Sequence, residues 1–593
     1  MKALTGRESG VHRAIDFGLI LAIAISIFTV TAVVPLLARL HVEFDLPRSL
    51  IALSYAQPLT DLFAWCKAVV VTFCAGIVIL AFAGAVARKT ALVPTVPLLP
   101  VGGLTAFLIA SSIRSRYPEF ILMGSPGLNE GLPVLMSYLV LFVAASLSIW
   151  RVRDLQWLIA GLGISAAVMS IIAVSELRGH SLLLDAGMKK YWLGVGNDLN
   201  LARDAHAGAA AMFGNSNYLG SYCAMIVPLF AALTLAASTR QARLAAFALA
   251  NGSFALLLAS NSRAGFWAAG VASLIILALL ARRCLRRSWP WLLGLLGGFL
   301  GEVLLTPHLA TTIRDPVERF SSAPTSTLPY THVEAIDGLF HVALGGPELI
   351  IARVEDGAMQ FRDDANRPLP LSSNGEQSWP TSARYGEYRL IPSTLQGYHI
   401  VTVINQGLKL QVASTPQGFR VLTRRALLTP EVPATLSLPV SETAFGLRGF
   451  IWARTLPLLR RTWLLGQGPG TFVLDYPNRD FGGFLRAFGA AETLIDKPHN
   501  FYLQFAHLSG NTSLFLLLAM FAAYSWQSVV LLSRGPAPGS ARGLAAAFFA
   551  AFLGFVGVGL ANDSMVGVTP IFWILWGAGH LANRRLTDAA LFP

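Results

Sequence analysis

The sequence predicts an all-α polytopic membrane protein of about twelve transmembrane helices, with a β-rich extracytoplasmic insert. Three observations predict this fold class. The 593 residues are 54% apolar and only 13% charged. Apolar runs of roughly 20 residues, the length that a bilayer core requires, recur along the chain. One long polar segment between two such runs instead has the alternation and turn signals of β-strands.

The predicted membrane spans are apolar runs with few or no charged residues. They lie near 17–38, 66–87, 91–112, 132–150, 155–175, 214–236, 243–260, 264–281, 289–306, 500–523, 543–560 and 567–582. The first run follows a basic N-terminus, but it is long and lacks an obvious small-residue cleavage site. We therefore interpret it as a first membrane helix rather than a removed signal peptide.

Basic residues test the number of spans. If the N-terminus lies in the cytoplasm, every predicted inner loop carries lysine or arginine, as the positive-inside rule requires. These residues are Lys2, Arg7, Arg13, Arg88, Lys89, Arg151, Arg153, Arg240, Arg243, Arg282, Arg283, Arg286, Arg287, Arg534, Arg542, Arg584 and Arg585. The alternation predicts that both termini are cytoplasmic, and it places the loops 39–65, 176–213 and 307–499 outside.

The charge and the cysteines exclude several classes of protein. The formal net charge is +13, and the inner loops, which face anionic lipid, explain much of it. No nucleic-acid-binding motif occurs. The cysteines show neither metal-ligand spacing nor a disulfide framework; they are Cys66, Cys74, Cys223 and Cys284.

The spans and polar segments divide the chain into four parts. Residues 1–306 form an N-terminal transmembrane bundle of about nine helices, and residues 307–447 form an extracytoplasmic segment. Residues 448–499 hold an interfacial helix and a candidate active-site loop. Residues 500–593 contain the C-terminal transmembrane helices.

The extracytoplasmic segment contains the predicted β-rich insert, residues 331–440. Stretches 348–361 and 398–421 are rich in β-branched residues and alternate in part, and turn signals such as Asn374-Gly375 separate them. The following stretch, 445–463, interleaves arginine and tryptophan with leucine and isoleucine. It is too charged to span, and it predicts an amphipathic helix at the outer interface.

Two arginines on the outer side are candidates for binding an anion. Arg263 lies at the outer mouth of the eighth span, and Arg448 lies on the interfacial helix. A charge placed at the membrane is costly, so both are candidates for function. The alternatives are that Arg263 reaches the lipid headgroups along its apolar stem and that Arg448 touches only lipid phosphate.

Two further motifs are predicted on the same side. The loop 466–472 contains Gly468 and Gly470, which permit sharp turns and close backbone approach. It lacks the Gly-Lys-Ser/Thr ending of a nucleotide-binding loop. The stretch 213–220 opens the sixth span, where we expect Asn215 or Ser216 to cap the helix.

The stretch 496–504 opens the tenth span with polar residues. We predict Asp496 as the helix N-cap, with Lys497 and Pro498 in the first turn, where proline is tolerated. His499 then lies near the third helical position. The positive end of the helix dipole disfavours the imidazolium there, so a neutral His499 is placed to act as a general base. The alternative is a helix-start histidine without a catalytic role.

The predicted topology brings all these motifs to one side of the membrane. Guanidinium groups suit phosphate oxygens, and a candidate base accompanies them. The combination predicts that the ligand is a lipid-linked diphosphate, with its lipid tail in the bilayer.

In their order and places, the motifs resemble those of the bacterial O-antigen ligase/polymerase family. The resemblance covers residues 210–525 and omits the insert. Its motifs are Phe213-Gly214-Asn215-Ser216-Asn217-Tyr218-Leu219-Gly220, Asn261-Ser262-Arg263-Ala264-Gly265, Arg448-x-x-x-Trp452, Gly466-Gln467-Gly468-Pro469-Gly470-x-Phe472 and His499-Asn500-Phe501-Tyr502-Leu503-Gln504.

The resemblance implies a GT-C-like, metal-independent membrane glycosyltransferase. It implies transfer of a glycan from undecaprenyl diphosphate to an acceptor on the periplasmic or outer face of the bacterial cytoplasmic membrane. By motif match, Arg263 and Arg448 bind the diphosphate and His499 is catalytic. The residues expected to support this site are Asn215, Asn217, Gly468, Gly470, Lys497, Asn500 and Tyr502.

The residues fit an inverting single displacement. Arg263 and Arg448 stabilise charge on the leaving diphosphate, and His499 removes the proton of the acceptor hydroxyl. No Asp, Glu, His or Cys cluster stands at metal-ligand spacing, so we predict no metal and no cofactor. Glu43 and Asp45 in the first outer loop stay open as an alternative base or ligand.

Two departures from the family pattern leave the acceptor open. The insert 331–440 is longer than in the usual ligase, and Ala506-His507-Leu508-Ser509-Gly510 replaces a more acidic run. The preferred acceptor is lipid A–core, as in lipopolysaccharide assembly by a ligase. A growing glycan (polymerase) and a protein hydroxyl (O-oligosaccharyltransferase) are the alternatives. The insert is either a structural cap or an acceptor-recognition module.

The alternative of a different class is a lipid-linked glycan flippase or transporter. Such proteins tend to contain internal repeats and charged, broken helices at mid-membrane. Here no repeat is visible, and the charges cluster at the predicted outer mouth.

Overall fold

The computed structural model describes most of the chain. The described residues are 18, 20–37, 42–44, 49, 59–61, 63–89, 92–150, 154–177, 208–305, 330–354, 358–423, 426–533 and 539–591. Within these ranges the chain is mostly helical, with a separate antiparallel β region between two sets of apolar helices.

The helices before the β region are apolar. They are α1 (Ile20–Leu36), α2 (Ala64–Ala87), α3 (Leu98–Ile113), α4 (Leu132–Ala145), α5 (Leu155–Leu177), α6 (Ser216–Ala236), α7 (Arg240–Ser260), α8 (Arg263–Arg287) and α9 (Trp289–Leu305). Each coincides with one of the first nine predicted spans.

The helices after the β region include short and long ones. They are α10 (Ala444–Leu458), α11 (Phe472–Asp475), α12 (Phe481–Phe488), α13 (Phe501–Ser509), α14 (Asn511–Ser533), α15 (Gly539–Val558) and α16 (Thr569–Leu591). The last three coincide with the end of the tenth predicted span and with the eleventh and twelfth.

Seven of the described helices are long and apolar enough to cross a membrane. They are α2, α5, α6, α7, α8, α14 and α15, and the shorter apolar helices are α1, α3, α4 and α9. Large apolar side chains point away from the protein, as at Phe73, Leu80 and Trp526, which are 69%, 73% and 74% exposed. Such faces suit lipid contact. A mostly helical fold with candidate membrane-spanning helices is therefore confirmed, and the number of twelve spans stays a prediction.

Helices α6 and α15 form the centre of the bundle, and both are largely buried. Gly554 of α15 faces the backbone of Ala224, and Gly543 faces Ala236; a Cβ at either glycine would collide with α6. The two helices therefore run antiparallel and in close contact. The end of α15 lies beside the start of α6, which brings together two turns that are far apart in sequence.

The predicted span 500–523 is wrong as a single helix. It is divided at Gly510, which has a φ of +102°, into α13 and the start of α14. The N–H groups of Asn511 and Thr512 donate to the carbonyls of Thr462 and Trp463. The chain segment after α10 thus packs into the break, where only a glycine leaves room for it.

A helix is present within the predicted stretch 445–463 but is shorter, and its place at the membrane interface stays a prediction. Phe445, Gly446 and Leu447 have left-handed φ values of +55°, +69° and +69°, so the regular helix begins at Arg448. It ends at Leu458 and is followed by one short turn. The break at 445–447 brings Arg448 to the start of the regular helix.

The predicted insert is confirmed as a β region, although its strands end at Leu428 and residues 429–440 contain none. A four-stranded antiparallel sheet contains β3 (Thr331–Ile336), β4 (Leu339–Leu344), β5 (Leu349–Arg353) and β6 (Met359–Arg362). A seven-stranded antiparallel sheet contains β7 (Leu371–Ser373), β8 (Ser378–Pro380), β9 (Arg389–Leu395), β10 (Tyr398–Asn405), β11 (Leu408–Thr415), β12 (Gly418–Leu422) and β13 (Leu427–Leu428). Both are meanders, because neighbouring strands are consecutive in the chain. Before them, β1 (Val42–Phe44) and β2 (Leu59–Asp61) form a separate hairpin.

The two larger sheets share one apolar core, to which Phe340, Ile351, Val403 and Val412 contribute buried side chains. Alternate residues of β3 and β4 point into this core, as the period of a half-buried strand requires. Phe481 of α12 belongs to the same core. Helix α12 therefore joins the β region to the rest of the protein.

Candidate functional site

His499 does not lie inside a helix. Asn500 is the N-cap of α13, because its backbone is extended and its side chain accepts the N–H of Leu503 at 3.0 Å. His499 precedes that cap with a left-handed φ of +50°. The predictions of Asp496 as the N-cap and of Lys497 in the first turn are therefore wrong. Pro498 and His499 precede the helix. The backbone of His499 is left-handed, so the helix starts only after it.

The imidazole of His499 faces the carboxylate of Asp563, in the turn between α15 and α16. Nδ1 of His499 lies 3.0 Å from Oδ2 of Asp563, whose side chain is 1% exposed. Oδ1 of the same carboxylate accepts the backbone N–H of Asn500 at 3.1 Å. Burial acts to raise the pKa of Asp563, but His499 and Lys497 outweigh it, so the pKa lies below its ordinary value. Asp563 is therefore ionised at neutral pH.

This contact determines which nitrogen of His499 is available. Oδ2 of Asp563 is buried and forms no regular hydrogen bond within the described ranges. Nδ1 of His499 lies against it at 3.0 Å, so a proton on Nδ1 compensates the burial of this oxygen. The Nε2 atom of a neutral ring is then free of a proton and can accept one. The His499 side chain is 35% exposed, which leaves it accessible to a substrate. Asp563 was not predicted from the sequence.

Further hydrogen bonds tie the turn after α15 to the start of α13. The Asn500 side chain donates to the carbonyl of Leu560 at 2.8 Å, and the N–H of Phe501 donates to the carbonyl of Gly559 at 2.8 Å. Asn500 therefore acts as a helix cap and as a bridge at the same time. Its predicted supporting role in the reaction stays a prediction.

Arg448 binds the same turn from the other side. Its Nε donates to the carbonyl of Ala561 at 2.8 Å, and its Nη2 donates to Oδ1 of Asn562 at 3.3 Å. Its Nη1 donates to the carbonyl of Phe445 at 2.7 Å. Burial lowers the pKa of Arg448, and the nearby Asp563 opposes that effect. No carboxylate in the described part of the chain forms an ion pair with this guanidinium, so its charge is available to an anion.

Trp452 lies one turn after Arg448 on α10 and holds the histidine segment. Its Nε1 donates to the carbonyl of Pro498 at 3.0 Å. Positions four apart lie on the same face of a helix. One face of α10 thus makes two contacts with the site. Arg448 binds the turn that contains Asp563, and Trp452 binds the segment that contains His499.

A network of ion pairs holds α10 in place. Nε of the buried Arg454 lies 2.7 Å from Oδ2 of Asp480, and its Nη1 lies 3.2 Å from Oε1 of Glu442. Arg486 of α12 also pairs with Glu442, at 3.0 Å.

Thr331 in β3 donates to the carbonyl of Gly482 in α12 at 2.6 Å. The β region is therefore connected to the helix that carries Arg448.

The start of α6 completes this part of the site. Asn215 caps α6, because its side chain accepts the N–H of Asn217 at 2.8 Å; the predicted capping role is confirmed. The amide of Asn562 donates to the carbonyl of Asn217 at 3.1 Å and to the Ser221 hydroxyl at 2.8 Å. Asn562 therefore links α6 to Arg448.

Arg263 is the exposed first residue of α8. The neighbouring Ser262 packs against Gly220 of α6, where a Cβ would collide with it. Arg263 thus begins a helix that contacts α6 one turn beyond Asn217. No hydrogen bond or ion pair between described residues joins Arg263 to His499 or Arg448. The structure brings Arg448 and His499 together, and it brings Arg263 only to the same end of the bundle.

Lys497 is a second, partly buried cation at the site. Its Nζ donates to the Tyr218 hydroxyl at 2.7 Å and lies 3.6 Å from Oδ2 of Asp496. Burial alone would lower the pKa of Lys497. Its interactions with Tyr218, Asp496 and Asp563 outweigh burial and raise the pKa above its ordinary value. Lys497 is therefore charged at neutral pH.

The glycine loop supports the site through close packing. Gly468 and Gly470 have φ values of +95° and +74°, which favour glycine. A Cβ at Gly470 would collide with the backbone of Ser125. The N–H of Gly468 donates to the carbonyl of Leu508 at 3.0 Å, so that donor is already used within the fold.

A buried acid, Glu130, lies behind the loop and was not predicted. Its Oε1 accepts hydrogen bonds from the hydroxyls of Tyr138 at 2.5 Å and Ser564 at 2.8 Å. Burial raises its pKa to about 7, against the opposing effect of those hydrogen bonds; Asp563 adds to the rise and Lys497 opposes it. Glu130 and Lys497 line one cavity of about 30 Å³, which has room for water.

Two other residues of the tenth predicted span have contacts of their own. Nε2 of the buried His507 lies 3.0 Å from Oδ2 of Asp475, which fixes α11 to α13. The Tyr502 hydroxyl donates to the carbonyl of Val556 at 2.6 Å. The predicted supporting role of Tyr502 is therefore packing of α13 on α15.

The two carboxylates left open in the first outer loop stay an open alternative. Glu43 lies in β1 opposite Thr60, and Asp45 lies outside the described residues. No group of three or more His, Cys, Asp or Glu residues that could hold a metal ion occurs in the described part of the chain. Metal independence stays a prediction.

Sequence reasoning missed Asp563 and Glu130 for the same reason. Each lies in a short polar stretch between two apolar runs, Asn562-Asp563-Ser564 and Asn129-Glu130. A carboxylate in such a place is costly unless it is paired or functional. That cost is the signal that would have identified them.

The site thus combines a His–Asp pair with two cations, Arg448 at the start of the regular part of α10 and Lys497 before α13. Such a pair can accept a proton, and such cations can bind a phosphate-type anion. Comparisons with protein-family models, with curated proteins and with solved structures found no match. The fold and the site define a helical protein with membrane-length helices and a candidate acid–base and anion-binding centre.

Proposed function

We propose that the protein is a membrane glycosyltransferase of the O-antigen ligase type. It moves a glycan from undecaprenyl diphosphate to an acceptor hydroxyl on the outer face of the bacterial cytoplasmic membrane. The observation that carries this proposal is the pairing of Nδ1 of His499 with the buried Asp563 at 3.0 Å, beside the anchored Arg448. This arrangement places a general base and a cation in the same site.

In the proposed reaction, Nε2 of His499 removes the proton of the acceptor hydroxyl as its oxygen attacks the anomeric carbon. The bond from that carbon to the diphosphate oxygen breaks, and the diphosphate leaves with the bonding electrons. Arg448 and Lys497 stabilise the charge that collects on the leaving group. Asp563 stabilises the imidazolium and keeps the ring in the required tautomer. A single displacement inverts the anomeric centre.

Arg263 is proposed as a further cation for the donor headgroup, by its motif and by its place at the start of α8. Helix α8 contacts α6 at Gly220. This contact is close to the first turns of α6, which Asn562 binds. The lipid tail of the donor then lies along the apolar helix faces, and the glycan lies toward the β region. Both termini are proposed to be cytoplasmic.

The distribution of charge favours an enzyme over a transporter. In the described membrane-length helices, cations lie near helix ends, as Lys67 in the first turn of α2 and Arg542 in the first turn of α15 do. A transporter is expected to place charges at mid-membrane. The lipid A–core acceptor is preferred over a growing glycan or a protein hydroxyl, as the motifs imply.

The test of this proposal is a comparison of cells with the wild-type protein and cells with His499→Ala. Glycolipids, polysaccharide and glycoproteins are analysed by mass spectrometry. We expect one glycan-modified class to disappear in the variant while the undecaprenyl-diphosphate-linked donor accumulates. Identical profiles at equal protein levels would contradict the proposal.

A further inference from the structure

Glu130 is a buried carboxyl group for which the proposed reaction has no role. It is 6% exposed, and its described partners are the hydroxyls of Tyr138 and Ser564, not a cation at hydrogen-bond distance. Two hydroxyl donors are a weaker compensation for a buried carboxylate than an ion pair. A small change in nearby charge is therefore enough to change whether the Glu130 carboxyl group is ionised.

The titratable groups around Glu130 come from four parts of the fold. Tyr138 approaches from α4, Asp563 from the turn after α15, Lys497 with Asp496 from the segment before α13, and His507 from α13. Lys497 favours the ionised form of Glu130, and Asp563 disfavours it. The same cavity is lined by Glu130 and Lys497, so an anion that binds Lys497 comes close to Glu130.

We propose that Glu130 is the proton-binding group of the anion site, which takes up one proton when a diphosphate binds beside Lys497. The proton comes from the bulk buffer through the cavity, leaves the buffer acid as its conjugate base, and forms an O–H bond on the Glu130 carboxylate. It returns to the buffer when the diphosphate leaves. This inference rests on the proposed function, because the anion is the headgroup of its donor.

The physical reason is the balance of charge in the site. With Glu130 ionised, the carboxylates of Glu130, Asp496 and Asp563 all interact with the ammonium group of Lys497. A bound diphosphate partly neutralises Lys497 and repels every nearby carboxylate. Glu130 is the carboxyl group whose pKa already lies near 7, so it takes up the proton most easily.

The sign of the pH dependence follows from this coupling. At pH 6 most of Glu130 is already neutral for a pKa of about 7, and the diphosphate binds with little proton uptake. Above pH 7 the competent, protonated form becomes a minor fraction, so the apparent affinity falls. For a pKa of about 7, that fraction reduces the affinity about tenfold at pH 8.

The experiment uses the full chain in phosphatidylcholine nanodiscs with inorganic pyrophosphate as the probe. Isothermal titration calorimetry in buffers of different ionisation enthalpy measures the protons taken up at pH 7, and the Kd is measured at pH 6 and pH 8. The variant is Glu130→Gln, a neutral isostere. The matched control is Glu119→Gln, because Glu119 lies exposed in the same loop region.

We expect wild type and Glu119→Gln to take up more protons than Glu130→Gln. At pH 8 Glu130→Gln should bind pyrophosphate about tenfold more tightly than wild type, a gain that a merely structural role would not produce. Tyr138→Phe is a second variant that keeps Glu130. It removes a hydrogen bond to the carboxylate, so the fall in affinity should move to higher pH.

Three outcomes are distinguishable. Proton uptake that is lost in Glu130→Gln and retained in Glu119→Gln supports the inference. Pyrophosphate binding with the same proton uptake in all variants overturns the inference and leaves the proposed function standing. Failure of every variant and of wild type to bind pyrophosphate overturns both.

Discussion

Oδ2 of Asp563 lies 3.0 Å from Nδ1 of His499, while Oδ1 of the same carboxylate accepts the N–H of Asn500. One buried carboxylate therefore fixes both the imidazole and the residue that caps the next helix. Because Asp563 follows α15 and His499 precedes α13, the geometry of the base depends on the packing of two helices that are separate in sequence.

Replacement of Asp563 by Asn should reduce glycan transfer by about 10²-fold or more, the contribution of a positioned general base. An amide can donate to Nδ1, which would leave the proton on Nε2 and block proton acceptance. The measurement is the rate of transfer by purified protein at several pH values. Thermal unfolding of the same sample shows whether the variant is folded.

The matched control for Asp563→Asn is Glu348→Gln. Nδ1 of His341 lies 3.2 Å from Oε1 of Glu348 in the β region, which is the same kind of pair in a different place. We expect transfer close to wild type from this control. Equal rates for Asp563→Asn and Glu348→Gln would refute the role of Asp563.

Replacement of Arg448 by Ala should raise the KM for the lipid-linked donor by about tenfold or more, because a charge-assisted hydrogen bond contributes about 1.5–3 kcal/mol. Arg448→Lys should recover only part of this, since an ammonium cannot keep the three contacts of the guanidinium. Steady-state kinetics with varied donor concentration measure both. Arg479→Lys, at an exposed ion pair with Glu431, is the control that should leave KM unchanged.

Replacement of Gly470 by Ala should destabilise the protein. Gly470 has a φ of +74°, and a Cβ there would collide with the backbone of Ser125. Gly489 has a similar φ of +69° at the end of α12 but open space around it. Gly489→Ala should therefore cost about 1 kcal/mol, and Gly470→Ala clearly more. Thermal unfolding of both variants in one detergent compares them, and equal melting temperatures would contradict the packing role of the loop.

Replacement of Tyr502 by Phe should reduce stability by about 1 kcal/mol, the usual net contribution of a hydrogen bond, without affecting transfer. The Tyr502 hydroxyl donates to the carbonyl of Val556, so its role is to pack α13 on α15. The check is a transfer rate normalised to folded protein. A loss of rate in fully folded Tyr502→Phe would instead place Tyr502 at the reacting groups.

The apolar helices and the β region were predictable because burial and lipid contact impose a period and a length on the sequence. The cap by Asn215 was predictable because an asparagine before an apolar run has one common use. The break at Gly510 was harder to predict. It depends on contact with Thr462 and Trp463, which are distant in sequence.

The centre of the site was only half predictable. His499 and Arg448 stand in recognisable motifs, but their partners Asp563 and Asn562 come from a turn beyond the motifs. The assignment of Asp496 as the helix cap failed because capping rules do not decide between two competent residues. The left-handed backbone of His499 and the bonds to Leu560 and Asp563 decided for Asn500.

The most direct test of the central claim is glycan transfer by the purified protein in nanodiscs. The donor is an undecaprenyl-diphosphate-linked glycan, the acceptor is lipid A–core, and products are identified by mass spectrometry. The account predicts a glycan-bearing product with wild type and with His341→Gln, and loss of at least about 10²-fold in rate with His499→Gln. Transfer by His499→Gln at the wild-type rate would contradict the account.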